Sequence, residues 1–268
     1  MEVRLTTTKG TRFLTNPLDT YVGKSIEIYG EWSHGEIVAL GVLLKPDSNV
    51  VEVGSNIGAH TVFIARDICP HGKVFAFEPR RLIFQMLCAN IALNGIANVH
   101  AHELALGSRE QTITEGRFPV AENVNAGAFA IGSIAGDEET IAMRTLDSFA
   151  PKLPRIDLIK ADVEGFELDV LRGAEALIRR DRPILYLEND RPELSRNLLQ
   201  HVAELGYDIW WHVIPLFRPD NLACTMANVF GDVASFNILC APRERDYAIN
   251  GLQKVADFDE HPLRLTPI

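Results

Sequence analysis

Val50-Val51-Glu52-Val53-Gly54-Ser55-Asn56-Ile57-Gly58 is the stretch that decides the fold. A β-branched run ends at one glycine, a second glycine follows four positions on, and Thr61 to Arg66 continues with helical character, so the segment reads as strand, glycine turn, helix. Downstream the same unit recurs. Lys73 to Phe77 is a strand ended by Glu78-Pro79, Leu82 to Leu93 is a helix closed by Asn94-Gly95, and Asn98 to Glu103 is a third strand. Ile156 to Lys160 is a fourth buried strand, Phe166 to Arg179 an amphipathic helix, and Ile184 to Leu187 a fifth strand. Pro192 to Leu205 is a further helix, before Tyr207 to Val213 and Ser235 to Cys240 as last strands. Upstream, Gly35 to Leu44 is helical and Pro46 stops it. This alternation predicts an α/β protein with an open, doubly wound, mostly parallel sheet and helices on both faces. The rhythm breaks once: Thr112 to Thr114 and Thr140 to Leu146 read as strands around a Gly- and Asn-rich stretch, an insertion near 115–140. The expected division is an extension over the site at 1–45, the α/β domain at 46–242 and a tail at 243–268.

Composition excludes several classes. The chain has 268 residues, 47% of them hydrophobic and 23% charged, which is enough to bury a core without disulfides or a structural metal. Cys69, Cys88, Cys224 and Cys240 are far apart and in apolar surroundings, which suits a reducing compartment and predicts a cytoplasmic protein. The 26 Lys and Arg against 36 Asp and Glu give a formal charge of -10, a field that repels nucleic acid and anionic lipid. No signal-peptide order opens the chain, and no charge-free apolar run approaches the roughly 20 residues that span a bilayer.

In open α/β sheets ligands bind beyond the carboxyl ends of the strands. At the first of these ends a dinucleotide fingerprint G-x-G-x-x-G would need glycine in the middle, where backbone approaches the pyrophosphate; Asn56 stands there instead. Glu52 sets a carboxylate near the turn, which opposes a pyrophosphate but suits the sulfonium or ammonium of S-adenosylmethionine. Gly54, Ser55, Asn56 and Gly58 are therefore the candidate cofactor loop, with His60 one turn into the helix. Glu78, at the end of the second strand, is placed to accept both ribose hydroxyls. Leu104 and Ala105, after the third strand, would lie at the adenine edge. The alternative is that the glycines serve helix packing and Glu78 is a solvated strand end.

VVEVGSNIGAHT at 50–61, VFAFEP at 74–79, NIALNGIANV at 90–99 and IDLIKADVEGFELDVLRGA at 156–174 together resemble the FkbM-type family of S-adenosylmethionine-dependent methyltransferases, over roughly residues 20–242. The most specific piece is Asp162-Val163-Glu164-Gly165-Phe166-Glu167. The resemblance implies a class I methyltransferase fold with a seven-stranded sheet, and an O-methyltransferase acting on sugar hydroxyls or polyketide-type natural products. It maps Gly54, Asn56 and Gly58 to the cofactor loop and Glu78 to the ribose acid. Glu52 stands where Asp is more usual in the family.

Asp162 and Glu164 follow the fourth strand and Glu188-Asn189-Asp190 the fifth, so two acidic groups should face one crevice. Several buried carboxylates need a proton or a cation among them, and Asp162, Glu188 and Asn189 are candidate ligands for a divalent ion such as magnesium. Metal-dependent catechol-type O-methyltransferases carry acidic ligands at these strand ends, an analogy at fold level only. Glu164 capping the next helix is the alternative. Methyl transfer to an alcohol needs a base, and Asp162, Glu164, His34 and His212 are the candidates. Trp32, Trp210 and Trp211 offer faces for a sugar ring or serve as core. The stretch from Asn123 to Gly136, with Asn125, Gly127 and Phe129, resembles the part of the family that covers the acceptor. A small-molecule or glycan acceptor is expected, and homo-oligomerisation is left open. A nicotinamide-dependent dehydrogenase or epimerase, and a cofactor-binding module without turnover, are the rival readings; Asn56 and the lack of a Tyr-x-x-x-Lys motif speak against the former.

Overall fold

The structure is a computed structural model and describes residues 2–119, 125, 129–245, 247 and 249–265. An N-terminal hairpin of β1 (Arg4–Thr8) and β2 (Thr11–Thr15) leads into α1 (Val22–Tyr29) and α2 (His34–Leu43). Next come β3 (Val50–Val53), α3 (Thr61–Phe63), β4 (Val74–Phe77), α4 (Arg81–Leu93) and β5 (Val99–His102). β6 (Ala105–Leu106), β7 (Gln111–Glu115), β8 (Glu139–Arg144) and α5 (Leu146–Phe149) form a lateral unit. β9 (Leu158–Ala161), α6 (Glu167–Arg172), α7 (Glu175–Asp181), β10 (Ile184–Glu188) and α8 (Pro192–Glu204) resume the alternation. β11 (Tyr207–Pro215), β12 (Ala234–Pro242), β13 (Gln253–Lys254) and α9 (Pro262–Leu265) complete it.

The central sheet runs β13-β11-β12-β10-β9-β3-β4-β5. β5, β4, β3, β9 and β10 are parallel, whereas β12 is antiparallel to both β10 and β11. This is the expected doubly wound sheet of a class I methyltransferase, with an eighth, two-residue strand added to the edge by the C-terminal segment. The winding reverses between β3 and β9, so their carboxyl ends open a crevice. VVEV, VFAF and LIKA are buried on both faces, as central parallel strands require.

Alternation along the strands sorts their side chains into two cores. Val51, Val53, Ile159, Leu185 and Leu187 pack with Val170, Leu171, Leu198 and Val202 on one face. Val50, Leu158, Ile184 and Tyr186 pack with Ile37, Leu40, Val62 and Phe63 on the other. Period two then commits Glu52 and Lys160, which are paired across β3 and β9, to this second face beneath α2 and α3. The sheet therefore carries one opposed pair of charges in its middle.

Three expectations are corrected. The Phe166–Arg179 helix is two helices: the Gly173 carbonyl accepts from the Asp147 amide at 2.9 Å, and the Asp147 carboxylate accepts from the amides of Ala176 and Leu177 at the start of the second, while close approach of the Gly107 carbonyl leaves no room for a β-carbon at Gly173. The helix begun at Thr61 passes into a π-turn over Ile64–Ile68. The strand expected over Thr140–Leu146 ends at Arg144, where a short helix takes over from Leu146, and it pairs with Gln111–Glu115 in a separate sheet, β6-β8-β7. Within the expected insertion, residues 120–124 and 126–128, Asn123 and Gly127 among them, lie outside the described residues. Among the described residues no helix is long and apolar enough to cross a membrane.

Asn90, fully buried on α4, fastens the N-terminal hairpin to the glycine turn. Its Oδ1 accepts from the Leu14 amide at 2.7 Å, and its Nδ2 donates to the carbonyls of Leu14 at 3.1 Å and Ile57 at 2.8 Å. Asn90→Ala leaves one buried and two part-buried backbone groups without this partner, a loss on the order of 3 kcal/mol. The expected outcome is a lower urea midpoint at unchanged slope; an unchanged midpoint would contradict the assignment.

Candidate active site

A cavity of about 310 Å³ occupies the crevice at the carboxyl ends of β3, β4, β9 and β10. The glycine turn forms one wall. Gly54 has φ +80°, and a β-carbon there would sit 1.9 Å from the Asp162 carbonyl oxygen, so only glycine lets β3 and β9 meet at this point. Asn56, at φ 49°, also takes the left-handed conformation, which aims its amide at Glu78. Glu78 Oε2 accepts from the Asn56 amide at 3.1 Å and Oε1 from the Arg80 amide at 3.0 Å, which fixes the carboxylate and leaves each oxygen a further lone pair. Leu104, Ala105 and Ile83 supply apolar lining beside it. A fixed carboxylate beside an apolar slot fits a ribose and its base. A pyrophosphate fits poorly, because the Arg80 guanidinium is engaged by Glu115 at 3.1 Å and by the carbonyls of Phe129 and Ala130.

Glu52, Ser55, Asn56 and His60 all line the same cavity. Glu52 accepts from the Thr61 hydroxyl at 2.5 Å, and burial pushes its carboxyl up to about 7. His60 Nε2 is 2.9 Å from the Trp32 carbonyl oxygen, and burial holds its pKa below the usual imidazole range. Gly58, at φ +84°, adjoins Leu87 behind the turn.

The far end of the cavity is acidic. Asp162, Glu164, Glu188 and Asp190 line it, and carboxylate oxygens of the last three lie within 4.8 Å of one another. Burial, with the negative charge of Asp162 next in effect, raises Glu164 to about 7 and lifts Glu188 well above the carboxylate range. Arg191 pairs with Glu164, and its Nε lies 3.7 Å from Asp190. Glu164 does not cap the next helix, which has no side-chain cap; Glu167 Oε1 instead accepts from the amides of Val163 at 3.0 Å and Gly165 at 3.3 Å in the loop before it.

Besides Gly58, three expected residues lie away from this space. Asn189 is turned to the opposite side of the chain from Glu188 and Asp190, as strand alternation demands, and its Nδ2 donates to Ser195 Oγ at 2.9 Å. Asp190 takes the position expected for it. His34 packs edge-on to Phe63 and burial lowers its pKa to about 4, outside the cavity lining. His212 is 2.8 Å from the Tyr186 hydroxyl through Nδ1, within the core. Of the tryptophans, Trp32 lines the cavity and Trp210 and Trp211 do not; Asn125 and Phe129 also reach it.

Sequence reasoning missed Lys160, Glu36 and Arg80. Lys160 Nζ lies 3.2 Å from Asp162 Oδ2 and 3.8 Å from Glu36 Oε2, and it is only 2% exposed. A lysine inside an otherwise apolar strand was the available signal, since an unpaired buried ammonium is prohibitively costly. Glu36 carried no such signal, because only the packing of α2 reveals its partner.

The fold is that of a class I methyltransferase, a class that uses S-adenosylmethionine. Residues 52–209 match the Methyltransferase FkbM domain, more than half of the chain, and the protein belongs to this family. That membership sets the dehydrogenase reading aside. The chain is 28% identical over 186 residues to Methyltransferase 1 of Beauveria bassiana (strain ARSEF 2860), covering 60% of this chain and 74% of that protein. It is 32% identical over 147 residues to the hexuronic acid methyltransferase AglP of Haloferax volcanii, covering 52% of this chain and 56% of that one. The crystal structure of Methyltransferase FkbM from Methylobacillus flagellatus KT has the same fold, with TM-score 0.52 and 16% identity, over 80% of this chain and 48% of that one. The chain thus spans little more than half the length of the Haloferax relative and under half of the Methylobacillus protein.

Burial holds Glu78 at about 7 in the folded protein, above the ordinary 4.5. A raised folded pKa contributes stability that is present below about 4.5 and lost as pH rises towards 7. Glu78→Gln lacks this loss. The unliganded variant should gain stability on the unliganded parent across that window, read as the difference between their urea midpoints at pH 5 and pH 8. A difference that stays constant with pH would contradict the assignment.

Proposed function

We propose that the protein is an O-methyltransferase acting on a hydroxyl of a sugar-containing or natural-product small molecule. The observation that carries this reading is the placing of Asp162, with its lysine counter-charge, in the same cavity as the Gly54–Gly58 turn and Glu78. In this reading Glu78 holds the ribose hydroxyls, Leu104 and Ala105 border the adenine, and Glu52, Ser55, Asn56 and His60 complete the cofactor pocket. When bound, S-adenosylmethionine supplies an electrophilic methyl group.

An alcohol becomes a competent nucleophile when its proton is taken, and Asp162 is the carboxylate assigned to take it. Glu164 is the alternative acceptor of that proton. Trp32, Phe129 and Phe236 give the cavity aromatic faces against which a ring could lie. Tyr21, Val22 and Trp32 come from the N-terminal extension, which in this account covers the site. The net negative charge disfavours nucleic acid as acceptor, and free cysteines suit the cytoplasm. A divalent cation is a second reading, favoured by the convergence of Glu164, Glu188 and Asp190 in place of the set with Asn189.

Transfer of labelled methyl to sugars, glycans and metabolite extracts, followed by mass spectrometry, tests the acceptor class. An O-methyl product is expected, and a methylated nitrogen would contradict the reading. Asp162→Asn should lower kcat by about 100-fold or more. Glu78→Ala should weaken S-adenosylhomocysteine binding by about 1.5–3 kcal/mol per hydrogen bond lost, as measured by calorimetry. Full activity after exhaustive chelation would remove the cation.

A further inference from the structure

Lys160 is the one lysine or arginine in the parallel strands β3, β4, β5, β9 and β10, and it faces carboxylates drawn from three elements. Asp162 follows β9, Glu52 lies opposite it on β3, and Glu36 comes from α2. Glu36 is 1% exposed; its Oε1 accepts from Ser235 Oγ at 3.0 Å, and its Oε2 lies 4.0 Å from His60 Nδ1. Burial alone would raise the Glu36 carboxyl, but Lys160 and His60 outweigh it and hold the group below its ordinary value. The same three carboxylates outweigh desolvation at Lys160 and raise its pKa, so it is charged at neutral pH. Glu36 lies outside the stretch that matches the family, and outside the cavity lining, whereas Lys160 and Asp162 are part of that lining.

We infer that Lys160 is a positioning residue of the transfer site: held from behind by Glu36 on the N-terminal extension, its ammonium fixes the Asp162 carboxylate in the cavity and offsets the negative field there. The inference rests on reading Asp162 as the acceptor-side carboxylate. A cavity that binds a sulfonium and releases a neutral thioether must balance two demands. Too little negative charge weakens the donor, and too much leaves the carboxylates uncompensated in a low dielectric. Lys160 sets that balance at the strand that carries Asp162. The arrangement gives the N-terminal segment a chemical part in the site in addition to covering it.

The ratio of S-adenosylmethionine to S-adenosylhomocysteine affinity, measured by calorimetry at pH 7.5, reads this balance without any acceptor. The two ligands differ by one methyl group and one positive charge. Lys160→Met should raise the preference for S-adenosylmethionine at least roughly fivefold, since a cation is removed beside the cavity. Asp162→Asn should lower it, the double variant should return towards the parent ratio, and Lys160→Arg should stay near it. A purely structural lysine would weaken both ligands in parallel, so an unchanged ratio in Lys160→Met overturns the inference. Should Lys160→Met fail to fold, Glu36→Gln carries the test: removing that buried carboxylate leaves Lys160 less compensated and should lower the ratio, and an unchanged ratio there overturns the inference equally. Loss of binding of both ligands to the parent protein would instead strike the cofactor assignment, and a nitrogen-methylated product would strike the acceptor reading alone.

Discussion

The backbone of Gly54 rests against the carbonyl of Asp162 with no room for a β-carbon between them. Much of the site depends on this contact. It lies where the winding of the sheet reverses, and it joins the turn that closes β3 to the segment that leaves β9. With the two strand ends held together, the amides of Gly54 and Ser55 both reach the Phe77 carbonyl at 3.0 Å, and the Asn56 amide meets Glu78. The carboxylates of Glu78 and Asp162 are thus set by one seam.

The second organising constraint is electrostatic. Parallel strands buried on both faces admit charge only when it is paired, and here Lys160 is surrounded by Asp162, Glu36 and Glu52. The pairing reaches beyond the domain that matches the family, because α2 provides Glu36. Arg80 has a comparable part on the other side of the cavity, binding Glu115 and the carbonyls of Phe129 and Ala130 while its own amide donates to Glu78. Lateral and N-terminal units are therefore tied to the central sheet by buried ions whose backbone or side chains also border the cavity.

The strands and the glycine turn were legible because local chemistry decides them: β-branched runs, a glycine where φ must be positive, an acid at a strand end. Cavity lining by Glu52, Gly54, Asn56, Glu78, Leu104, Ala105 and Asp162 follows from the rule that sites gather at carboxyl ends of parallel strands. What escaped was non-local. The break at Gly173 is met by Asp147, whose amide and carboxylate bond both sides of it, and nothing in the helical pattern signals it. Adjacency in sequence groups Asn189 with Glu188 and Asp190, yet alternation sends its side chain to Ser195 and brings Asp190 into the cavity. The chemistry of His34 and His212 suits a base, whereas packing against Phe63 and Tyr186 removes them from the cavity lining.

The proposed arrangement is a sulfonium nucleoside at one end of the cavity and Asp162 with its lysine counter-charge at the other. The most direct measurement is a crystal structure of the protein with S-adenosylhomocysteine. The account predicts ribose hydroxyls on Glu78, adenine beside Leu104 and Ala105, and the thioether directed towards the end that holds Asp162. A nucleoside seated outside the crevice between β3 and β9, or reversed within it, would contradict the account.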